Sequence, residues 1–422
     1  MVTAVDPAGG GRFDAVVAGA GLVGLATAAA LARSGLAVAI VDRARPGAAT
    51  GPVEEWDRRV YAISPGSARF LRTLGAWQEL ACERIAAVES MWIAGDAGAT
   101  LEFSAYDAGE RALAWIVEER ALRGALRAAA FAAGVTSHEG AACERLAWSS
   151  DEALLTQGDG SEIAARLVVG ADGLESWVRA AAGLDAKRRA WQQLGVVANF
   201  ATELPHRGCA RQWFRDDGSV LAWLPLPGSR ISIVWSAPEA LAHELVGLAP
   251  ADLATRVGEA GGSALGALMP LGTAAAFPLH SLRVASPVAR RLALVGDAAH
   301  GVHPLAGQGV NLGFGDAEAL AGVLAARGPI ADCGAALLLE RLAQRRRRGT
   351  LCRRSRRCAR RRDGDRRRER RCGDLCARDR EGADESDGGD ERHAAEQLQT
   401  GSCGHRRLQI KPSASRRARA RS

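Results

Sequence analysis

The sequence has 422 residues and is 47% hydrophobic, which is enough for one large or two medium-sized domains with a buried core. Its net charge of +7 is unevenly distributed, because residues 345–422 carry 26 lysines and arginines against 12 aspartates and glutamates, whereas residues 1–344 carry 29 against 36. The part that we expect to fold is therefore mildly acidic, and nucleic acid is not expected to be its partner.

No targeting or membrane segment is expected near the N-terminus. The opening residues MVTAVDPAGGGRFD lack the basic start and apolar run of a secretory signal. The uncharged run over residues 15–32 is long enough for a membrane-spanning helix, but Gly19, Gly21 and Gly24 favour a strand, a turn and a helix instead. The cysteines before residue 345 stand singly, as is typical of a reducing cytosol. These features predict a cytoplasmic protein.

Residues 13–43 have the order of a dinucleotide-binding βαβ unit. The predicted buried strand DAVVA is followed by Gly19, Gly21 and Gly24 in the pattern G-x-G-x-x-G, and then by a predicted helix. The first glycine of this pattern allows a tight turn, the second lets a pyrophosphate approach the backbone, and the third lets the helix pack on the strand. The second predicted strand, LAVAIVD, ends at Asp42, whose carboxylate can accept hydrogen bonds from a ribose. The pattern does not distinguish NAD from FAD.

Two more predicted strands end at glycine and aspartate. ARLVVG is followed by ADG, which contains Asp172, and RLALV is followed by GDAAHGVHPLAGQGVNLG, in which Asp297 is the second residue. A helix is predicted to begin at about Asn311. Glycine loses more backbone freedom on folding than any other residue, so a loop this rich in glycine indicates a ligand lying against the backbone.

In these motifs and their order the chain resembles the FAD-dependent aromatic hydroxylases of the para-hydroxybenzoate hydroxylase type, and among them the ubiquinone-biosynthesis hydroxylase family. The resemblance covers residues 13 to about 344. It rests on GAGLVG, DRRVYAISPGSARFLRTLGAW, WIVEERALRGAL, GADGLESWVR, RQWF with LAWLPLPGSRISIVWS, and GDAAHGVHPLAGQGVNLG. It implies an α/β fold, in which a Rossmann-like FAD-binding domain carries an inserted, mostly antiparallel β-sheet substrate domain.

The expected domain division follows from this resemblance. Residues 1–184 and 281–344 are expected to form the FAD-binding domain, and residues 185–280 the substrate domain. The latter stretch alternates apolar and polar positions between turn residues, as a half-buried antiparallel sheet does. Its tryptophans, among them Trp223 and Trp235, could be plain core or could cover the flavin.

The resemblance also implies how FAD is held. Asp42 and Arg43 would border the adenosine, Asp297 would bind the ribityl chain, and backbone amides at the start of the last helix would face the pyrimidine edge of the flavin. The full set of implied cofactor-binding residues is Gly19, Gly21, Gly24, Asp42, Arg43, Arg59, Arg120, Asp172, Asp297, Pro304, Gly307, Gly309 and Asn311. Alternatively, Arg59 and Arg120 are solvated surface charges and Asp297 is a helix N-cap.

The implied activity is a monooxygenase reaction in which NAD(P)H and O₂ serve to hydroxylate an aromatic ring, with a prenylated phenol of ubiquinone biosynthesis as the substrate. Because the cofactor carries the chemistry, no catalytic side chain is identified. The spacing of the histidines matches no metal signature, so no metal site is expected. Peripheral association with the inner membrane or with a biosynthetic complex stays open, and so does another aromatic substrate.

Residues 345–422 depart from the family. They contain 25 arginines, no aromatic residue and only five residues among Leu, Ile, Val, Met and Phe, so we expect a disordered basic tail. Such a composition also results when a GC-rich gene is translated in the wrong reading frame. In that case the chain would be an FAD-binding but catalytically impaired product. An arginine-rich nucleic-acid-binding arm is the rival interpretation of the tail.

Overall fold

The computed structural model describes residues 11–45, 55–95, 98–303, 307–328 and 331–344. Two sequence predictions, Pro304 in the glycine loop and the tail over residues 345–422, lie outside these described residues. Within them the chain forms three β-sheets and eight α-helices with fully described ends, and a further helical segment covers residues 336–344.

The secondary-structure elements are numbered in chain order. The strands are β1 (Arg12–Ala18), β2 (Val38–Asp42), β3 (Val60–Ile63), β4 (Ala86–Val88), β5 (Ser90–Ala94), β6 (Thr100–Ser104), β7 (Ala114–Glu118), β8 (Thr136–Glu139), β9 (Cys143–Trp148), β10 (Ala153–Gln157), β11 (Glu162–Gly170), β12 (Ala186–Thr202), β13 (Cys209–Phe214), β14 (Val220–Leu226), β15 (Arg230–Pro238), β16 (Leu268–Pro270), β17 (Ala275–Val284), β18 (Val288–Ala289), β19 (Leu292–Leu294) and β20 (His300–Gly301). The helices are α1 (Leu22–Arg33), α2 (Pro65–Leu74), α3 (Ala105–Ala108), α4 (Glu119–Ala132), α5 (Trp177–Ala181), α6 (Glu239–Gly247), α7 (Pro250–Ala260) and α8 (Gln308–Ala325).

The first sheet contains the predicted nucleotide-binding strands. Its order is β18-β19-β11-β1-β2-β8, with β10 on β11 and β9 on β10, and the five strands from β19 to β8 are parallel. Strand β1 is apolar because both of its faces are covered: Ala15 and Val17 pack with α1 and α8, whereas Val16 and Ala18 pack into a second core on the opposite face. The Rossmann-like α/β fold predicted from the sequence is confirmed.

The carboxyl edge of this sheet brings three motifs together. Ala18 of β1 pairs in register with Gly170 of β11, and Gly170 pairs with Leu294 of β19. The loops that begin with Gly19, with Ala171 and with Val295 therefore leave the sheet side by side, at the edge where parallel α/β sheets bind their ligands.

The second sheet has the order β20-β17-β12-β15-β14-β13-β5-β6, with β16 on β12, and it is antiparallel except between β13 and β5. Most of its strands come from residues 186–284, between β11 and β18 of the first sheet, so the inserted, mostly antiparallel sheet is confirmed. Strands from residues 90–104 and 300–301 pair in it as well. This sheet therefore reaches beyond the stretch 185–280 that the sequence assigned to the substrate domain.

The two faces of the second sheet have different neighbours. On one face Trp223 and Trp235 are buried in an apolar core that α6 and α7 cover. On the other face Ala210 and Leu226 pack against the three-stranded sheet β3-β7-β4. Trp223 and Trp235 are thus core residues of the inserted unit.

The uncharged run over residues 15–32 forms the end of β1, a turn and most of α1. Over the described ranges, no helix combines the length and the apolar composition that a membrane crossing requires.

Candidate functional site

Each glycine of the first motif meets a different structural demand. Gly19 has a φ of +106°, a backbone conformation that favours glycine, and a Cβ there would overlap the carbonyl group of Ala171. A Cβ at Gly24 would overlap the carbonyl oxygen of Gly19, so this glycine lets α1 pack on the turn. Gly21 has no heavy atom within 4 Å of the Cβ position. The space in front of Gly21 is therefore open for a ligand.

The N-terminus of α1 faces that open space without a protein partner of its own. Among the described residues no side chain caps its first-turn amides, and no acidic residue stands in the first turn. Such amides, together with the positive end of the helix dipole, bind phosphate groups. Asp42 closes the same turn, because its carboxylate accepts hydrogen bonds from the backbone amides of Ala20 at 2.6 Å and Ala44 at 2.8 Å. The next residue, Arg43, is exposed.

Asp297 lies in a concave part of the surface. Its side chain is solvent-exposed, yet the surrounding protein desolvates it enough to raise its pKa, with His300 opposing that shift. Exposure together with desolvation is typical of a group that lines a cleft. Across the described ranges its carboxylate has no hydrogen-bond partner, so the alternative of a helix N-cap receives no support there. A Cβ at Gly309 would lie 3.9 Å from the Asp297 carboxylate, which places this acid beside the start of α8.

The start of α8 repeats the geometry of α1. Gly307 is its N-cap, in the left-handed conformation with a φ of +59°, and no described side chain caps the amides that follow. Asn311 holds this turn in place: its Nδ2 donates to the carbonyls of Ala62 and Gly307, and its Oδ1 accepts from the amide of Ser64 at 2.9 Å. Its side-chain amide is therefore fully engaged with the protein.

A buried acid that the sequence did not single out ties the loop to α8. Asp316 accepts hydrogen bonds from His300 Nε2 at 2.6 Å and from the backbone amide of Gly296 at 3.1 Å. These bonds fix the segment immediately on either side of Asp297. No periodicity or spacing rule marks Asp316, because its role depends on a contact with a residue 16 positions earlier in the chain.

The two arginines expected near a cofactor have protein partners in this structure. Arg59 forms an ion pair with Glu119 at 3.0 Å, and Arg120 donates to the carbonyl of Glu55 at 2.8 Å. Partial burial is the largest single influence on the pKa of Arg59 and lowers it. The charge and the hydrogen bond of Glu119, with smaller contributions from other neighbours, outweigh this effect, so the pKa is raised overall. Both guanidinium groups therefore have a protein partner, although the Arg59 side chain is 61% exposed.

Asp172 organises the turn after β11. Its carboxylate accepts hydrogen bonds from the Ser176 hydroxyl at 2.5 Å and the Val178 amide at 3.0 Å, which caps α5. Arg179 is buried and donates to the carbonyls of Ala298 and Leu174, so it joins this turn to the loop around Asp297. Arg179 is thus a buried residue that links two loops.

Comparisons with known proteins agree with this geometry. A family model described as FAD binding domain matches residues 12–350. Ubiquinone hydroxylase UbiL of Rhodospirillum rubrum is 36% identical to the chain over 338 residues, which cover 79% of this chain and 77% of that protein. The 3-demethoxyubiquinol 3-hydroxylase of Escherichia coli is 35% identical over 319 residues, covering 74% and 79% respectively.

The chain belongs to the ubiquinone-biosynthesis family of FAD-dependent hydroxylases. The predicted resemblance is thereby confirmed, as are the enzyme class and FAD as the cofactor; NAD(P)H is a typical cosubstrate of such enzymes. The fold agrees with a solved structure of Pseudomonas aeruginosa PqsL in complex with 2-aminobenzoylacetate, with a TM-score of 0.66 and 25% identity over 79% of this chain and 90% of that one.

The residues of this hydroxylase fit FAD. The open space at Gly21 faces the uncapped amides of α1, which suits a pyrophosphate. Asp297 is an unpartnered acceptor within a cleft, as a ribityl hydroxyl requires, and the uncapped start of α8 lies beside it. The loops that carry these groups leave one edge of one sheet. Within the described residues no cluster of His, Cys, Asp or Glu suits a metal ion.

His303 sits where the loop after β20 meets the second sheet. Burial lowers the pKa of this imidazole to about 4, from an ordinary value of 6.5. Its ring packs edge-on against Trp191 with a centroid distance of 5.2 Å, and its Nε2 lies 3.3 Å from Gln193 Oε1. The ring is therefore uncharged at neutral pH.

This burial predicts a pH-dependent stability. Between pH 6.5 and 4 the unfolded chain binds a proton at His303 that the folded chain does not, so the free energy of unfolding falls as the pH is lowered through this window. The loss from this residue is at most about 3 kcal/mol, and above pH 6.5 it is absent. Urea unfolding at pH 4.5 and 7 measures it. The variant His303→Asn should lose less stability than the wild type between these two pH values; an equal loss would contradict the prediction.

Proposed function

We propose that this chain is an FAD-dependent monooxygenase that uses NAD(P)H and O₂ to hydroxylate the ring of a prenylated phenol in ubiquinone biosynthesis. The observation that carries this proposal is the pair of uncapped helix starts, α1 and α8, on loops from one sheet edge with Asp297 between them. The names of the relatives, a ubiquinone hydroxylase and a 3-demethoxyubiquinol 3-hydroxylase, support the substrate class.

In this proposal the cofactor is held mainly by backbone. Gly19, Gly21 and Gly24 shape the turn that receives the pyrophosphate, and Asp42 with Arg43 borders the adenosine. Asp297 would accept a hydrogen bond from the ribityl chain. The amides of the Gly307–Asn311 turn, including that of Gly309, would face the pyrimidine edge of the flavin, where negative charge develops on reduction.

Four other expected cofactor residues would act by holding these loops. Asn311 fixes the start of α8, Asp172 fixes the turn after β11, and Arg59 and Arg120 anchor the segment around residues 55–59. Arg59 is partly exposed and retains donors, so it could also reach the cofactor directly. Bound FAD supplies the electron transfer and oxygen activation that no protein side chain can provide.

The protein itself would position the phenol ring against the flavin and exclude water from the reaction. We propose that residues 1–184 and 281–344 form the FAD-binding domain and that the substrate domain is built on residues 185–280, with strands from residues 90–104 added to its sheet. A prenylated phenol partitions into lipid, because each buried methylene group is stabilised by about 0.8 kcal/mol. We therefore also propose peripheral contact with the inner membrane, or with a complex that passes the substrate on.

Phenol-dependent NAD(P)H oxidation tests the proposal. The purified full chain, saturated with FAD, should oxidise NAD(P)H faster when a prenylated phenol is added, and an analogue that lacks the ring hydroxyl should have less effect. An equal rate with and without any phenol, yielding only hydrogen peroxide, would favour the catalytically impaired product instead. Stimulation by a non-prenylated aromatic acid alone would favour another aromatic substrate.

A further inference from the structure

A break in the longest strand of the second sheet places an unusual pair of side chains beside the flavin loop. Strand β12 pairs with β17 up to Ala190 and again from Leu194, and the residues between them form a bulge in which Gln192 has a φ of +54°. Bulges of this kind re-aim side chains and are frequent near active sites. Here the bulge presents Trp191 and Gln193 to His303.

The hydrogen bonds fix which nitrogen of His303 carries the proton. The carbonyl of Gly218 can only accept, and it lies 3.1 Å from Gln193 Nε2, so the amide of Gln193 directs its Oε1 towards His303. Because Oε1 is also an acceptor, His303 Nε2 must donate. The buried ring is neutral, and its Nδ1 is therefore an unprotonated acceptor.

Two buried polar atoms of this cluster have no partner among the described residues: His303 Nδ1 and Trp191 Nε1. One is an acceptor and the other a donor, on rings 5.2 Å apart. Leaving such buried atoms without a hydrogen-bond partner destabilises the protein. A hydroxyl group has the matching chemistry, since it can donate to Nδ1 and accept from the indole N–H. A carboxylate or an ether oxygen cannot donate to Nδ1.

The position of the pair links the two halves of the proposed active site. His303 follows β20, which pairs with β17 of the second sheet, and it precedes Gly307 at the start of α8. The pair therefore lies between the loop that would carry the flavin end of FAD and the sheet of the proposed substrate domain.

We propose that His303 Nδ1 and Trp191 Nε1 bind the phenolic hydroxyl of the aromatic substrate. This inference rests on the proposed function. The hydroxyl donates a hydrogen bond to Nδ1, which increases the electron density of the ring that is to be hydroxylated, and the indole N–H donates a hydrogen bond to the hydroxyl oxygen. The pair thus selects substrates with a free hydroxyl over their ethers.

The test compares binding of a phenol with binding of its O-methyl ether to the FAD-loaded protein, without NAD(P)H, followed by flavin absorbance and tryptophan fluorescence. The wild type should prefer the phenol by about tenfold. In His303→Asn the side-chain oxygen can take the place of Nδ1, so the preference for the phenol should persist. In His303→Gln the side-chain amide takes the place of Nε2 instead, so the preference for the phenol should vanish. Trp191→Phe should weaken both ligands, and the exposed-site control His243→Gln should change neither.

An unchanged phenol-to-ether ratio in His303→Gln, or an equal loss in His303→Asn and His303→Gln, would overturn the inference. The same preparations are assayed for flavin content and for phenol-dependent NAD(P)H oxidation. If the wild type passes both assays while His303→Gln keeps its selectivity, the inference alone fails. If the wild type binds no phenol at all, the proposed function fails and the inference falls with it.

Discussion

Replacing Gly21 by valine is expected to remove the flavin from this protein without unfolding it. The φ of −74° at Gly21 is accessible to any residue, and no heavy atom lies within 4 Å of the Cβ position, so the folded chain has room for the side chain. That same room is where the pyrophosphate must approach the backbone amides of α1. We expect flavin affinity to fall by roughly 100-fold or more, which corresponds to about 3 kcal/mol.

Gly24→Ala is the matched control in the same motif. Its Cβ would overlap the Gly19 carbonyl, so this smaller substitution should destabilise the fold itself, and flavin should be lost only because the protein unfolds. Flavin content per polypeptide and the thermal unfolding midpoint of the apoprotein separate the two effects. If the Gly21→Val variant keeps its flavin, the proposed position of the pyrophosphate at this turn is wrong.

Arg84→Ala should be among the most destabilising single substitutions in the first half of the chain. Arg84 binds Glu118 with two hydrogen bonds, of 2.6 Å from Nε and 2.8 Å from Nη2, and the Glu118 side chain is only 3% exposed. Removing the guanidinium leaves a buried carboxylate without its countercharge, which costs about 3–5 kcal/mol. Glu118 also accepts from the amide of Asp57, so the segment that carries Arg59 should loosen as well.

The control is Arg188→Ala, which removes an ion pair with Glu175 at a site where both side chains are well exposed. Exposed ion pairs contribute little to stability, so this variant should be close to the wild type. Denaturant unfolding of both variants at neutral pH gives the comparison. Equal, small effects would mean that water reaches Glu118 and that the buried pair does not hold the segment.

The local part of the fold was predictable because it depends on neighbouring residues. The pattern of glycines after β1 predicts a tight turn, free access for a ligand and close packing of the helix. In the structure Gly19, Gly21 and Gly24 meet these three requirements in that order. Alternation of apolar and polar residues likewise predicted the antiparallel sheet. The pairing of β5 with β13 was not predictable, since it joins residues more than a hundred positions apart.

The candidate site was predictable only in part, for the same reason. The position of Asp297 in its motif identifies it as a candidate, but a motif cannot show that the side-chain amide of Asn311 is hydrogen-bonded to Ala62 and Ser64, or that Asp172 caps α5. The acceptor state of His303 Nδ1 depends on Gly218, in the turn between β13 and β14, because its carbonyl orients the amide of Gln193 in β12. Such roles follow from tertiary hydrogen bonds, which leave no trace in the spacing of one sequence.

The most direct test of the central claim, FAD-dependent hydroxylation of an aromatic ring, is isotope incorporation. The FAD-loaded chain is turned over with NAD(P)H and a prenylated phenol under ¹⁸O₂ in ordinary water, and the product is analysed by mass spectrometry. We predict a product that carries one ring oxygen from ¹⁸O₂ and none when the label is supplied as H₂¹⁸O. Label that enters from water, or NAD(P)H consumed with no hydroxylated product from any phenol, would contradict the account.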